Sequence, residues 1–152
     1  MSAAVLRRAV ADDLPAIVAM LADDTLGAAR EDARLPLAQA YLDAFAAIAA
    51  DPNQLLAVAE LEGAVAGTLQ VSFLAGLSQQ GAWRGQIEAV RVASGFRGRR
   101  LGEAMIAWAV EQCRARGCRM VQLTTHKSRR DAHRFYERLG FKATHEGFKL
   151  AL

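Results

Sequence analysis

The stretch Val90-Arg91-Val92-Ala93-Ser94-Gly95-Phe96-Arg97-Gly98-Arg99-Arg100-Leu101-Gly102 packs four arginines and three glycines into the place where a strand pattern gives way to a helical one. A helix N-terminus leaves backbone N–H groups without intrahelical partners and carries a partial positive charge. Glycine lets a ligand approach such a backbone closely, so a strand, a basic turn and a helix start in sequence suit a phosphate. The same turn would also serve as an ordinary connection. Two further groups stand out by type. Glu88 alternates away from apolar Ile87 on the strand that leads into the turn, and Tyr136 lies in a second distinctive run, Asp131-Ala132-His133-Arg134-Phe135-Tyr136-Glu137-Arg138-Leu139-Gly140-Phe141.

Several elements must position these groups. Ala4 to Val10 reads as a strand, followed by a helix that Asp12 and Asp13 would cap, with Leu14, Ile17, Val18 and Leu21 at helical spacing. The polar run from Asp23 to Gly27 should stop it. A second helix is expected from Pro36, with Leu37, Tyr41, Phe45 and Ile48 on one face. Gln54–Leu61 and Ala64–Leu74 read as strands joined by a hairpin turn at Glu62-Gly63. Gln86–Val92 is the next strand, and Arg99–Arg116 the longest helix, stopped by Gly117. Met120–Thr125 looks like a buried strand, Asp131 starts a short helix, and Phe141–His145 with Phe148–Leu152 are expected as the last two strands. The pattern is mixed α/β, an α+β mixed sheet, in a single domain over residues 1–152.

Composition narrows the function classes. A hydrophobic share of 53% and a charged share of 23% describe a globular chain and exclude a disordered one. No apolar run reaches the roughly 18 residues of a membrane span, and the N-terminus lacks a secretory pattern, so a cytoplasmic protein without membrane contact is expected. Cys113 and Cys118 form no CxxC pair, and His133 and His145 lack ligand spacing, so no metal is expected. The net charge of +3 is unevenly spread: residues 1–96 hold 6 Lys/Arg against 11 Asp/Glu, and residues 97–152 hold 13 against 5. Such a split suggests two kinds of partner, one anionic and one cationic or neutral.

The pairing of Arg97-Gly98-Arg99-Arg100-Leu101-Gly102 with Ala132-x-x-Phe135-Tyr136-Glu137-Arg138-Leu139-Gly140-Phe141 resembles the GCN5-related N-acetyltransferase (GNAT) superfamily, and the order of elements, β-α-α-β-β-β-α-β-α-β-β, is similar along the whole chain. The resemblance implies acetyl-CoA as donor and an amine as acceptor, joined by direct attack in a ternary complex. The family's phosphate-loop pattern, Q/R-x-x-G-x-G/A, falls on Arg97, Gly98, Arg99, Arg100, Leu101 and Gly102, with Arg100 standing where the pattern has its first glycine. Arg129 likewise stands where many members carry an asparagine.

The resemblance further implies that the backbones of Val90 and Val92 bind the pantetheine arm and stabilise the developing oxyanion. It makes Tyr136 the general acid for the leaving thiolate, and Glu88 the general base, directly or through a water, with His126 in reserve. Trp83, Arg84 and Asp24 would line the acceptor side, where the acidic first half favours a small cationic amine. Family members are often homodimers. The competing readings are a non-catalytic acetyl-CoA-binding module and a nucleic-acid-binding regulator. No helix-turn-helix, zinc-finger or RNA-recognition pattern supports the latter.

Overall fold

The computed structural model describes residues 3–152, which form two compact units, one reaching to Gln122 and the other comprising Leu123–Leu152. The first unit is built on a sheet of order β1-β2-β3-β4-β5. Its strands are β1 (Val5–Arg8), β2 (Gln54–Leu61), β3 (Ala64–Leu74), β4 (Arg84–Val92) and β5 (Met120–Leu123), which ends at the boundary between the units. The first four pair antiparallel. β5 runs parallel to β4, since Arg119 N–H donates to the Trp83 carbonyl (2.9 Å) and three residues further along each chain Gln122 donates to Gln86 (2.9 Å).

The β2–β3 turn forms as the sequence predicts. Glu62 and Gly63 both take positive φ, +54° and +77°, which matches the twist of the flanking strands. The helices are α1 (Leu14–Ala22), α2 (Thr25–Arg30), α3 (Gln39–Ala50), a one-turn α4 (Ser78–Gly81) and α5 (Leu101–Ala115). In α4, Gln79, Gln80 and Gly81 are all left-handed. α5 presents Leu101, Met105, Ile106, Ala109 and Cys113, all buried, to β3 and β4. Burying each of Leu101, Met105 and Ile106 is worth about 1.5–3 kcal/mol. It lies close because β4 has no side chain at Gly85, where a Cβ would collide with the Cys113 sulfur. β3 is buried on both faces, with Leu69 and Val71 alternating with Thr68 and Ser72. The hydroxyl of Thr68 donates to the Ala57 carbonyl (2.9 Å), which removes the cost of burying it. A second cluster joins Ala9, Leu14, Ile17 and Val58 to Phe45 of α3.

α1 ends in the polar run as expected, with Asp23 at its C-cap, and Asp24 then accepts from Gly27 N–H (2.5 Å) to start α2, a short helix the sequence reading lacks. Three expectations are corrected. Pro36 precedes α3 in a loop, with a cis Leu35–Pro36 bond, rather than opening the helix. Most consequentially, 141–145 and 148–152 are not strands. A strand exists through its ladder of inter-strand hydrogen bonds, and among the described residues no ladder involves these two segments. The second unit therefore consists of the end of β5, the amphipathic α6 (Arg130–Arg138) and a tail without regular secondary structure. Met120 is also more open than a buried strand would make it, at 39% exposure.

Candidate active site

β4 carries the feature on which the site depends. Its pairing with β3 runs Gln70↔Glu88 and then Thr68↔Arg91, so Ala89 and Val90 bulge opposite Leu69. Ala89 takes φ +54°, the left-handed conformation such a bulge demands. On the other side of β4, Gln122 lies level with Gln86, so β5 ends level with Ile87. From Glu88 to Val92 the outer edge of β4 thus runs on past β5, and on this stretch the Val90 carbonyl accepts from Arg91 Nη1 (2.9 Å) and the Val92 carbonyl from Arg97 Nε (3.2 Å).

Beyond Val92 the chain makes a 3-10 turn at Ser94–Phe96 and swings through Arg97–Arg100 into α5. Gly98 has φ +79° and Arg100 φ +60°. The left-handed Arg100 explains why the similar sequence pattern has glycine at this point: the turn needs positive φ. Arginine adopts it here with its side chain in solvent, paired with Glu103 (3.2 Å). Arg99 pairs with Glu62 (2.9 Å) and lies over the Phe96 ring, and Arg97 donates to the Val92 carbonyl (3.2 Å) and meets Asp23 at 3.4 Å. Each of these three arginines is thus paired with a largely exposed carboxylate that a phosphate could displace.

The structure brings together some candidates that the sequence separates by about seventy residues. Asp24 meets Arg91 at 3.5 Å while Asp23 meets Arg97, which ties the α1–α2 junction to both ends of the β4-to-turn segment. Arg91 is the residue that sequence reasoning missed. Its side chain is only 15% exposed, yet nothing in a strand pattern distinguishes an arginine that will face a distant aspartate. Glu88 is exposed on β4, immediately before the bulge. Trp83 and Arg84 lie at the opposite end of the strand from the basic turn, with Arg84 about 13 Å from Glu88 at strand rise.

In the second unit, Tyr136 is half-buried on α6 between two edge-on rings, Phe135 at 5.2 Å and Phe141 at 5.8 Å. Phe141 N–H donates to the Tyr136 carbonyl (3.0 Å). The phenol thus sits on a ring with little freedom to turn. His126 is engaged differently: its Nδ1 accepts the Ser128 backbone N–H (3.1 Å) and faces the Ser128 hydroxyl at 2.7 Å. That places the proton of a neutral ring on Nε2 and occupies the lone pair a base would use.

A bulged strand leads into a basic turn at a helix start, an arrangement whose chemistry suits an extended, phosphate-bearing ligand. The profile of the Acetyltransferase (GNAT) family matches residues 18–141. An aminoalkylphosphonate N-acetyltransferase of Salmonella typhimurium is 39% identical over 114 residues, 75% of this chain and 73% of that protein. A crystal structure of a protein described as a transcriptional regulator, from Bacillus halodurans C-125, superposes with a TM-score of 0.96 at 47% identity, over 99% of this chain and 100% of that one. A crystallised acetyltransferase from Trypanosoma brucei gives 0.78 at 26% identity, over 99% and 100%. The chain belongs to the GNAT acetyltransferase family, as an acetyl-CoA-dependent N-acyltransferase.

Proposed function

We propose that residues 1–152 act as one N-acetyltransferase domain in the cytoplasm, transferring acetyl from acetyl-CoA to the primary amine of a small acceptor that also carries an acidic group, in the manner of an aminoalkylphosphonate. The observation that carries the acceptor class is the 39% identity to an aminoalkylphosphonate N-acetyltransferase. The charge arrangement supports it. The sequence suggests a purely cationic acceptor attracted by Asp23 and Asp24, but both carboxylates face arginines, Arg97 and Arg91. The acidic pull on a bare cation is thereby reduced, and an acceptor with its own anionic group is no longer disfavoured.

The residues divide the chemistry as follows. Arg97, Gly98, Arg99, Arg100, Leu101 and Gly102 hold the pyrophosphate of acetyl-CoA, through helix N–H groups and displaced guanidinium partners. The outer edge of β4 at Val90 and Val92 pairs with the pantetheine arm, and a backbone N–H there polarises the thioester carbonyl. Glu88 takes the amine proton, directly or through a water; the engagement of His126 Nδ1 favours Glu88 over it. The amine nitrogen forms the new C–N bond, the C–S bond breaks, and Tyr136 gives its proton to the departing thiolate.

Two experiments test this. In a thiol-release assay with acetyl-CoA, 2-aminoethylphosphonate should outperform both ethanolamine and spermidine; preference for spermidine overturns the acceptor class. Tyr136→Phe should lower kcat by about 10²–10⁴-fold while acetyl-CoA affinity stays within about twofold. A kcat within twofold of wild type would make Tyr136 a packing residue. The relative described as a transcriptional regulator favours a second reading, a regulator that binds acetyl-CoA without turnover. Acetyl-CoA binding with no thiol release from any amine in the panel would select it.

A further inference from the structure

We propose that the acceptor lies along one face of β4, with its amine at Glu88 and its acidic group held by Gln86 and Arg84. This face then selects an amino-terminated acid by its polarity. The inference deepens the acceptor class given above and rests on that reading.

Strand register defines the face. β3 turns Thr68, Gln70 and Ser72 to one side of the sheet and Leu69 and Val71 to the other. On β4, Gln86 pairs with Ser72, Glu88 with Gln70 and, past the bulge, Arg91 with Thr68. Residues directly opposite share a face, so Arg84, Gln86, Glu88 and Arg91 follow one another on a single side. Gly85 and Ile87 lie on the other side, where Gly85 makes room for Cys113 of α5.

The order of charges along this face is what selects a ligand. Arg91 meets Asp24 at 3.5 Å, so its charge is matched within the protein. Among the described residues, neither the exposed Glu88 nor the half-buried Arg84 has an ion-pair partner. Between them, Gln86 Oε1 accepts from Gln122 Nε2 (2.9 Å), which leaves the Gln86 N–H donors for another acceptor. A carboxylate, an amide and a guanidinium therefore stand in that order at steps of about 7 Å. The neighbouring strands add no charge: Gln70 and Ser72 both donate to Gln54 Oε1 at 3.0 Å. An ammonium at Glu88 and acid oxygens accepting from Gln86 and Arg84 match this row end for end. A polyamine instead brings a second cation toward Arg84, and a neutral amine leaves the guanidinium unused.

The test is a specificity ratio. With acetyl-CoA as donor, kcat/KM is measured for 2-aminoethylphosphonate, ethanolamine and spermidine. Arg84→Met should lower the ratio of 2-aminoethylphosphonate to ethanolamine about tenfold, and Arg84→Lys should restore part of it. Arg84→Glu should raise the ratio of spermidine to 2-aminoethylphosphonate by about tenfold or more, because the face then carries two carboxylates. Gln86→Glu should move both ratios the same way. Ratios that stay at their wild-type values, with or without an equal loss on all three amines, would overturn the inference while the acceptor class stands. A wild type that does not turn over 2-aminoethylphosphonate would remove the acceptor class itself and the inference with it.

Discussion

Two arginine–aspartate clusters of the first unit use the same chemistry for opposite ends. At the start of the sheet, Arg7 grips Asp13 with two bonds of 2.7 and 3.0 Å, Glu60 takes the third face of the guanidinium at 2.9 Å, and Val10 N–H donates to the same carboxylate (2.8 Å). The Asp13 side chain is 7% exposed. At the basic turn, Arg97 meets Asp23 at 3.4 Å with both side chains more than half in water. A short, buried, fully satisfied pair fixes structure, because removing one partner strands the other. A long, exposed pair contributes little to stability and can be exchanged for a ligand. Burial of the carboxylate, rather than residue type, separates the two pairs.

Breaking the first cluster should have the largest effect. Asp13→Asn is expected to cost about 2–3 kcal/mol in urea unfolding, with KM for acetyl-CoA unchanged. It should also alter the acid limb. Hydrogen bonds from Arg7 hold the Asp13 carboxyl below the ordinary carboxylate range, with help from Val10 N–H and against the opposing effect of burial. A carboxyl depressed on folding adds stability above its unfolded pKa of about 3.9, and that stability is lost as pH falls below it. Wild-type stability should therefore fall more steeply below about pH 4 than that of Asp13→Asn. Parallel acid profiles would contradict the structural role.

Next in size, Arg97→Ala should raise KM for acetyl-CoA about tenfold, or about 1.4 kcal/mol, with little change in Tm. A comparable loss of stability would make Arg97 as structural as Arg7. Arg100→Gly relieves the left-handed arginine, partly offset by the freedom glycine has when unfolded, so a gain of about 0.5–1 kcal/mol is expected from chemical denaturation. The smallest effect sharpens the contrast most. Asp23→Asn should change stability by no more than about 0.5 kcal/mol and lower KM for acetyl-CoA severalfold, by releasing Arg97. An increase in KM would show that Asp23 holds Arg97 in its binding position.

Parts of the site were legible in the chain itself. Apolar spacing placed β2, β3 and α5 to within two residues, and Glu62-Gly63 announced its turn, because periodicity and positive φ are local properties. The turn and helix start between Arg97 and Gly102 were legible for the same reason: both are written in consecutive residues. The departure at Arg100 was visible too, though not that its backbone is left-handed.

Tertiary pairing decided the rest. The bulge at Ala89 arises from the mismatch between β3 and β4, and Arg91 acquires its meaning only when Asp24, far away along the chain, is folded against it. The tail shows the limit most clearly. Its alternation specifies a strand, but a strand also needs an edge to pair with, and the identity of that edge is a property of the assembled sheet rather than of residues 148–152. Sequence determines what each segment can become at close range; the contacts made across the fold determine which of those capacities are used.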